Sequence, residues 1–492
     1  MSKIIIQNGN MCELDLPLKF AQKLYNEFAI RHPNAFYLRT RQRGMQNWDG
    51  KIHYITKTGQ FKIGLLPKVY DMCIEMGIKP KVVDMRQPLP KVSKVVTKIG
   101  KYKLRPEQEK AVKAVINNTI GGKPFHIGVL DYTVNAGKTL IMSSLYLSYK
   151  KQLKTLLITN DSDWLNQARE EFKQYLPGED ITFVQGKVLN WSNFTIGMVQ
   201  SISRNMRFYQ KELSQIDMVL IDEADQGGSR QYQNVITRLF NTRIRIGLSG
   251  TIYMSKLAKD KVKNMNLECF FGKVLAEFKL RDSIKKGYST KTVVKMVPGK
   301  PWYGNWESDC ISYKEIYDDS ITNSYTAWLM AYSRLRWNIN QGRYPALVVC
   351  KHIAHCENLY KFFKKKLGDA YNIAYVHVNT KSKLRQQIMK DFRDGKIDIL
   401  VSTTIIARGK NFPKLRYLLN AASMDSQEKS IQFLGRLVRT DKSKKKVYLD
   451  DLHYPGNYLD RHGKHRKQYY QRQELKVILL DKLWKKHPNH KP

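Results

Sequence analysis

Acidic residues are what this sequence is short of. Asp and Glu number 43 against 85 Lys and Arg, a formal net charge of +42. A chain so charged attracts polyanions, and nucleic acid is the commonest polyanion a protein meets in solution. A generally basic protein with no specific partner is the alternative on charge alone. Cysteine is also scarce. Cys12, Cys73, Cys269, Cys310, Cys350 and Cys356 include no Cys-x-x-Cys pair, and none adjoins a His-x-x-x-His. They read as reduced, mostly buried thiols, which argues against a zinc site. No run approaches the ~18 apolar residues of a membrane span. The opening M-S-K-I-I-I-Q-N-G-N has too short an apolar stretch for a secretory signal. The expected location is the cytoplasm. Repeats of solenoid type are missing too.

What is present suffices for ordinary cores. Hydrophobic residues make up 42% of 492, a length that predicts about two to four domains. Residues 1–98 alternate like strands around one helical stretch at 16–29. The segment R-Q-P-L-P-K at 86–91, with the lysines that follow, reads as a linker. Apolar, β-branched runs then alternate with helical patterns: T-L-L-I-T at 155–159, M-V-L-I-D at 218–222 and R-I-G-L-S at 245–249. The pattern returns in A-L-V-V-C at 346–350, D-I-L-V-S at 398–402 and K-V-Y-L-D at 446–450. Such continuous apolar strands suit parallel sheets covered on both faces. The expected fold class is α/β: two tandem parallel-sheet domains, with a small α+β N-terminal domain and a basic helical C-terminal extension. The expected boundaries are 1–98, 99–275, 276–455 and 456–492. In the last of these, Leu475, Ile478, Leu479 and Leu483 stand at helix spacing.

The first α/β domain contains Y-T-V-N-A-G-K-T at 132–139, after the apolar I-G-V-L at 127–130 and before a helical run. Strand, loop, then Gly-Lys-Thr opening a helix turns backbone N–H groups towards phosphates. Lys138 then reaches the β- and γ-phosphates, and the Thr139 hydroxyl ligates Mg²⁺. Tyr132 stands where the usual pattern has its first glycine. The strand M-V-L-I-D-E at 218–223 ends in two acids. Asp222 is placed for the Mg²⁺ shell and Glu223 for the attacking water. ATP and Mg²⁺ are the expected cofactors. Gln108, in L-R-P-E-Q-E-K-A-V at 104–112, has a two-sided amide able to read an adenine edge.

These stretches, with L-S-G-T at 248–251, V-S-T-T-I-I-A-R-G-K-N-F at 401–412 and Q-F-L-G-R-L-V-R at 432–439, resemble the ordered motifs of superfamily 2 helicases over roughly 100–450. The resemblance implies two RecA-like domains with ATP between them. Arg105, Gln108, Asn135, Ala136, Gly137, Lys138, Thr139 and Gly409 would then contact the nucleotide, with Thr139 and Asp222 on the metal. Lys138, Asp222 and Glu223 would be catalytic, with Gln432, Arg436 and Arg439 joining from the second domain. Guanidiniums arriving on closure would couple hydrolysis to motion. Ser201 and Thr403 would touch nucleic acid. Ser249, Thr251, Thr403 and Gly409 would link the nucleotide to the nucleic-acid track.

Residues 222–225 spell Asp-Glu-Ala-Asp, but the neighbouring motifs depart from the RNA helicases known by that spelling. Motif III is Ser249-Gly250-Thr251 rather than Ser-Ala-Thr, motif VI opens with Gln432 rather than His, and motif V has Asn411 rather than Asp. N-W-D-G-K at 47–51, G-L-L-P at 64–67, N-A-G-K-T at 135–139 and Y-L-D-R-H-G-K-H-R-K-Q-Y at 458–469 resemble the UvsW-type branch-migration and recombination helicases of phages. That likeness implies an ATP-dependent helicase acting on branched or duplex DNA, monomeric, with recombination or replication proteins as candidate partners and no membrane. The rivals are an RNA helicase, an annealing protein with a weak ATP site, and the motor of a restriction system. F-Y-L-R-T-R-Q-R at 36–43 reads as a strand with Arg39, Arg41 and Arg43 on one face. With an Asp49-Gly50 hairpin turn it would form a basic β-ribbon near Tyr37, Trp48 and Tyr54, gripping phosphate and stacking on bases. An ordinary sheet with a wet basic face is the alternative, and Trp48 fits core better than wedge. The aromatic run P-W-Y-G-N-W at 301–306 fits either a nucleic-acid contact or an anchored loop.

Overall fold

A computed structural model describes residues 2–41, 45–149, 152–186, 188–252, 260–299, 312–407, 412–425, 427–441 and 443–480. Arg43, the 301–306 aromatics, Cys310, Gly409, Asn411 and Leu483 lie outside them. The chain divides into two compact units. One comprises Met1–Tyr132 with Ala136–Phe278; the other comprises Thr133–Asn135 and the chain from Lys279 on.

The first unit is built on an eight-stranded sheet. Its order is Val188–Leu189, Ile181–Gln185, Phe194–Met198, Thr155–Thr159, Met218–Asp222, Ile244–Ser249, His126–Tyr132 and Val274–Phe278. All neighbours run parallel except the short Val188–Leu189 hairpin arm. A four-stranded sheet of N-terminal residues belongs to the same unit, in the order Gln60–Lys62, Met11–Asp15, Lys3–Ile6, Lys81–Asp84. Its docking depends on close backbone approach. A β-carbon on Gly64 would fall 2.1 Å from the Glu268 carbonyl oxygen, and one on Gly9 would fall 2.6 Å from that of Leu239. Arg245, fully buried, donates to the carbonyls of Gly9 (2.6 Å) and Phe270 (3.1 Å) and to Asn10 Oδ1 (2.7 Å). Burial, with Arg86 adding repulsion, pulls its pKa down to about 9. The 86–103 segment, expected as a linker, is pinned to the same unit: Ser144 Oγ donates to the Val96 carbonyl at 2.6 Å and Ser148 Oγ accepts from its N–H at 3.0 Å.

The second unit has seven strands, all parallel, in the order Ile373–Val376, Ile399–Thr403, Ala346–Cys350, Tyr417–Asn420, Lys446–His453, Lys291–Pro298 and Val477–Leu479. Alternate residues of one strand enter different cores. Leu347 and Val349 pack with Leu400 and Leu418, whereas Ala346, Val348 and Cys350 pack with Val401 and Leu419. Both faces are therefore buried, which is why these strands read as unbroken apolar runs. The α/β class and both parallel sheets agree with the expectation.

Adjacent acids of the Lys446–His453 strand use the same alternation. Asp450 meets helix Tyr325–Asn340, accepting from Arg334 Nε at 2.8 Å, Asn338 Nδ2 at 3.1 Å and, from the neighbouring strand, Tyr417 at 3.1 Å. Asp451 meets helix Asn457–Arg472 through Arg466 Nε at 2.9 Å and Tyr470 at 2.7 Å. Arg466 also donates to the Met424 and Leu452 carbonyls at 2.9 Å and is fully buried. The C-terminal segment is thus anchored by a buried guanidinium.

Two expectations need correction. Leu475, Ile478 and Leu479 do not share a helix. Helix Asn457–Arg472 ends before them, and Val477–Leu479 adds a parallel strand beside Lys291–Pro298. That edge offered unpaired backbone groups, and Val477 and Ile478 suit a strand. The basic β-ribbon is also absent, because Ala35–Arg41 is a helix. The stretch closes its backbone hydrogen bonds within the helix. Arg39 and Arg41 then point about 200° apart around the axis, and Arg41 lies 5.0 Å over the Tyr37 ring. Strand Lys51–His53 pairs instead with Ala29–Arg31. Trp48 is half-buried, its Nε1 donating to the Lys51 carbonyl at 2.9 Å. Tyr54 is turned inward, bonding Asn266 Oδ1 at 2.9 Å.

The five described cysteines are free and buried. Among the described residues no helix is long and apolar enough to cross a membrane, and no cluster of three or more Asp, Glu, His or Cys could hold a metal.

Candidate functional site

Strand His126–Tyr132 is buried throughout and leads into the glycine-lysine-threonine turn. Tyr132 explains the missing first glycine. Its ring is fully buried, and its hydroxyl donates to the Glu107 carbonyl at 2.7 Å. The residue completes the strand and its side chain belongs to the core. Beyond it the backbone turns through left-handed positions at Asn135 (φ 63°) and Gly137 (φ 73°). Gly137 caps helix Lys138–Ser148, whose first N–H groups have no partner within the helix and suit an anion.

Gln108 braces this turn. Its Nε2 donates to the Ala136 carbonyl at 2.8 Å, and its Oε1 accepts the Arg105 N–H at 2.8 Å. It is 2% exposed, so both ends of the amide expected to read adenine serve the loop here. Arg105 Nε lies 3.2 Å from the Glu107 carboxylate. A β-carbon on Gly137 would fall 2.3 Å from Gln108 Nε2. Gly137→Ala combines that clash with an unfavourable φ. We expect a loss of ~1–2 kcal/mol in stability and a more than tenfold loss of nucleotide hydrolysis, read by thermal denaturation and steady-state rates. A variant with wild-type values for both would refute the cradle.

Asp222 ends strand Met218–Asp222 and is buried. Burial pushes its carboxyl above the usual carboxylate range; the Lys138 ammonium and a backbone hydrogen bond at Glu223 pull it back, and Asp225 and Asp161 push it up again. Lys138 is thus the cation whose charge acts most on Asp222, within one unit. Asp225 and Asp161 make the field around Asp222 more acidic, which suits a cation carried in on the phosphates. Thr139, 9% exposed at the helix start, supplies a hydroxyl. The residues fit a metal–triphosphate: Thr139 and Asp222 would hold the ion, Lys138 and the loop N–H groups the phosphates. The bound ion would supply positive charge against the phosphate oxygens. Glu223 holds a left-handed conformation (φ 53°), a strained state for a non-glycine residue and one that clusters at functional sites.

The expected site list omitted two acids. Asp225 accepts from Ser249 Oγ at 2.7 Å, and Ser249 Oγ lies 3.1 Å from Thr251 Oγ1. This chain of hydroxyls joins the end of the Asp222 strand to Ser249-Gly250-Thr251. Asp161 follows strand Thr155–Thr159, which lies beside Met218–Asp222. An acid just past the end of a neighbouring parallel strand was the signal available for it. Ser201 is almost buried; its hydroxyl accepts the Gly186 N–H at 2.9 Å. Arg39 and Arg41 are exposed, or nearly so, on their short helix.

In the second unit, helix Gln427–Leu437 sends Phe433, Leu434 and Leu437 into the core. Gln432 and Arg436, one turn apart on its other side, are half-exposed, as is Arg439 just beyond. Buried Lys444 steadies the helix end by donating to the Leu437 carbonyl at 3.1 Å, where the helix dipole favours a cation. Thr290 Oγ1 donates to the Arg439 carbonyl at 3.2 Å. Thr403, 7% exposed, ends strand Ile399–Thr403.

Comparison with known proteins gives two domain matches. Residues 101–254 match the family described as type III restriction enzyme, res subunit, and residues 331–441 match the helicase conserved C-terminal domain. Protein 22 of Sulfolobus islandicus filamentous virus, a helicase by designation, is 23% identical over 385 residues, covering 72% of this chain and 64% of its own length. The ATP-dependent RNA helicase CHR1 of Candida albicans is 23% identical over 231 residues, covering 46% and 33%. The chain thus spans less than two thirds of either relative. Among solved structures, the ATP-dependent Type ISP restriction-modification enzyme LlaBIII bound to DNA aligns over 83% of this chain and 34% of its own, at TM-score 0.57 and 13% identity. T4 UvsW aligns over 98% and 100%, at TM-score 0.44 and 19% identity.

Proposed function

We propose that this chain, a member of the superfamily 2 helicases, is an ATP- and Mg²⁺-dependent DNA translocase that remodels branched duplexes. The supporting observation is a glycine-capped helix start that opens on Lys138, with the buried Asp222, on which the Lys138 charge acts, at the end of a strand of the same unit. A hydroxyl chain from Asp225 through Ser249 to Thr251 leads away from it. In this reading Lys138, Thr139 and Asp222 hold the metal–triphosphate, and Glu223 orients the attacking water. Gln432, Arg436 and Arg439 act on the same triphosphate, so that its charge is fully matched only on closure. The hydroxyl chain reports the nucleotide state to the nucleic-acid track.

The motif departures at Ser249-Gly250-Thr251, Gln432 and Asn411 favour DNA over RNA. The net charge of +42 suits binding through the phosphate backbone, hence independent of sequence and sensitive to salt. Arg39 and Arg41 contribute to that surface. The test is ATP hydrolysis by the wild-type protein with single-stranded DNA, duplex DNA, a four-way DNA junction and RNA. Duplex and junction are expected to stimulate at least tenfold more than RNA. Stimulation by RNA alone would defeat the DNA assignment, and stimulation by none would defeat the motor.

A further inference from the structure

The second unit carries a crowd of cations that neither the nucleotide site nor the helicase motifs use. Trp337, on helix Tyr325–Asn340, is 42% exposed. Lys295 Nζ lies 4.7 Å from its ring centre, the Arg343 guanidinium 4.7 Å and the Arg334 guanidinium 5.0 Å. The Arg343 guanidinium also covers the Tyr448 ring at 3.6 Å, and Lys446 Nζ stands 5.8 Å from that ring. Four cations thus share two aromatic rings. The acid beneath them, Asp450, is 1% exposed and already bonded to Arg334, Asn338 and Tyr417. Burial lowers the pKa of Lys295, and although Asp450 raises it, Arg334, Arg343 and Lys446 lower it further.

The crowd extends along one rim of the sheet. The strands are parallel, so their first residues share an end. Lys291 and Lys446 begin their strands side by side, and Arg343 and Arg416 lie just before two others. Lys291, Lys445 and Lys446 are exposed, as is Tyr344 beside Arg343. Thr403 lies at the opposite end of its strand. The cationic rim thus lies at the end away from Thr403 and next to the close of helix Gln427–Leu437, where Thr290 holds the Arg439 carbonyl. Internal cation–ring packing accounts for Arg334, which is bonded and buried. It does not account for Lys291, Lys445 and Lys446, which are exposed near a partly exposed Trp337.

From this juxtaposition we infer a second nucleic-acid site on the rim, which takes a single strand. Phosphates lie along Lys291, Lys446 and Arg343, and an unpaired base covers the open part of Trp337. Duplex DNA offers phosphates but no free base face, so the exposed indole favours a single strand. The inference rests on the proposed function, because a remodelling motor must hold one strand while it moves along another.

The test uses the whole protein and a fluorescent oligo-dT of about 12 nucleotides, within the usual range of single-strand site sizes. The wild type is expected to saturate with two strands per chain. Trp337→Ala, and separately the double variant Lys291→Ala/Lys446→Ala on exposed residues, should weaken the second step at least tenfold. The double variant should also flatten the log–log salt dependence of that step by about 1.4, roughly 0.7 for each lost charge. Saturation at one strand in a wild type whose ATP hydrolysis responds to nucleic acid would overturn the second site alone. So would a second step that survives in both variants. A wild type that binds no strand would overturn this site and the proposed function together.

Discussion

Lys138→Ala is expected to lower nucleic-acid-stimulated ATP hydrolysis by about a thousandfold or more, or about 4 kcal/mol of transition-state stabilisation. The size follows from two losses at once. Lys138 opens the helix that follows the glycine turn, where it would meet the terminal phosphates. It is also the leading influence that holds the buried Asp222 carboxyl down against burial and the neighbouring Asp225 and Asp161. Without the ammonium, the Asp222 carboxyl would be held less against the upward push of burial, which weakens it as a metal ligand. Lys138→Arg keeps the charge but not the compact ammonium, and should recover Asp222 without recovering the rate. The lysine is half-exposed, so the thermal transition should move little. A Lys138→Ala enzyme with more than a tenth of the wild-type rate would remove the nucleotide site from this turn.

The second large effect concerns stability. Arg466→Ala should cost the second unit about 3–5 kcal/mol, because it leaves Asp451 as an unpaired charge in a dry interior. The pair is buried on both sides and further bonded to Tyr470, Met424 and Leu452. Asp451→Ala should cost a similar amount. Their sum should exceed the cost of the double variant by more than ~1 kcal/mol, since one interaction is removed in all three. Urea unfolding followed through the transition of the second unit measures each value. Arg466→Ala at less than ~1 kcal/mol would show that the C-terminal helix is held by something other than this ion pair.

Much of the fold was open to reading from the residues. The runs at 155–159, 218–222 and 346–350 are strands with those bounds, and 398–402 is displaced by one residue. A strand buried on both faces has no freedom to alternate, so its composition alone reveals it. The Gly-Lys-Thr turn and the acid-tipped strand were legible for a related reason. A helix start that meets phosphate and a strand end that meets a metal each require particular residues in sequence order.

Short, half-exposed segments did not yield. Ala35–Arg41 and Val477–Leu479 carry too few buried positions for a period to show. Val477–Leu479 found the edge of Lys291–Pro298 and extended, whereas Ala35–Arg41 closed its hydrogen bonds within a helix. Tyr132 was open to the same error. As a letter it breaks a glycine motif, and only its packing against the Glu107 backbone shows that the strand simply continues through it.

The sequence by itself determined the two parallel sheets, the Gly-Lys-Thr turn at a helix start and the acid that ends a strand of the same sheet, because burial and helix-start geometry restrict which residues can stand there. Only the tertiary structure decided that Gln108 braces the turn, that Asp225 joins Ser249, and that Asp450 and Asp451 clamp helices on opposite faces. Those partners are far apart along the chain. Nothing in the order of residues records which carboxylate a guanidinium will meet once the strands have paired.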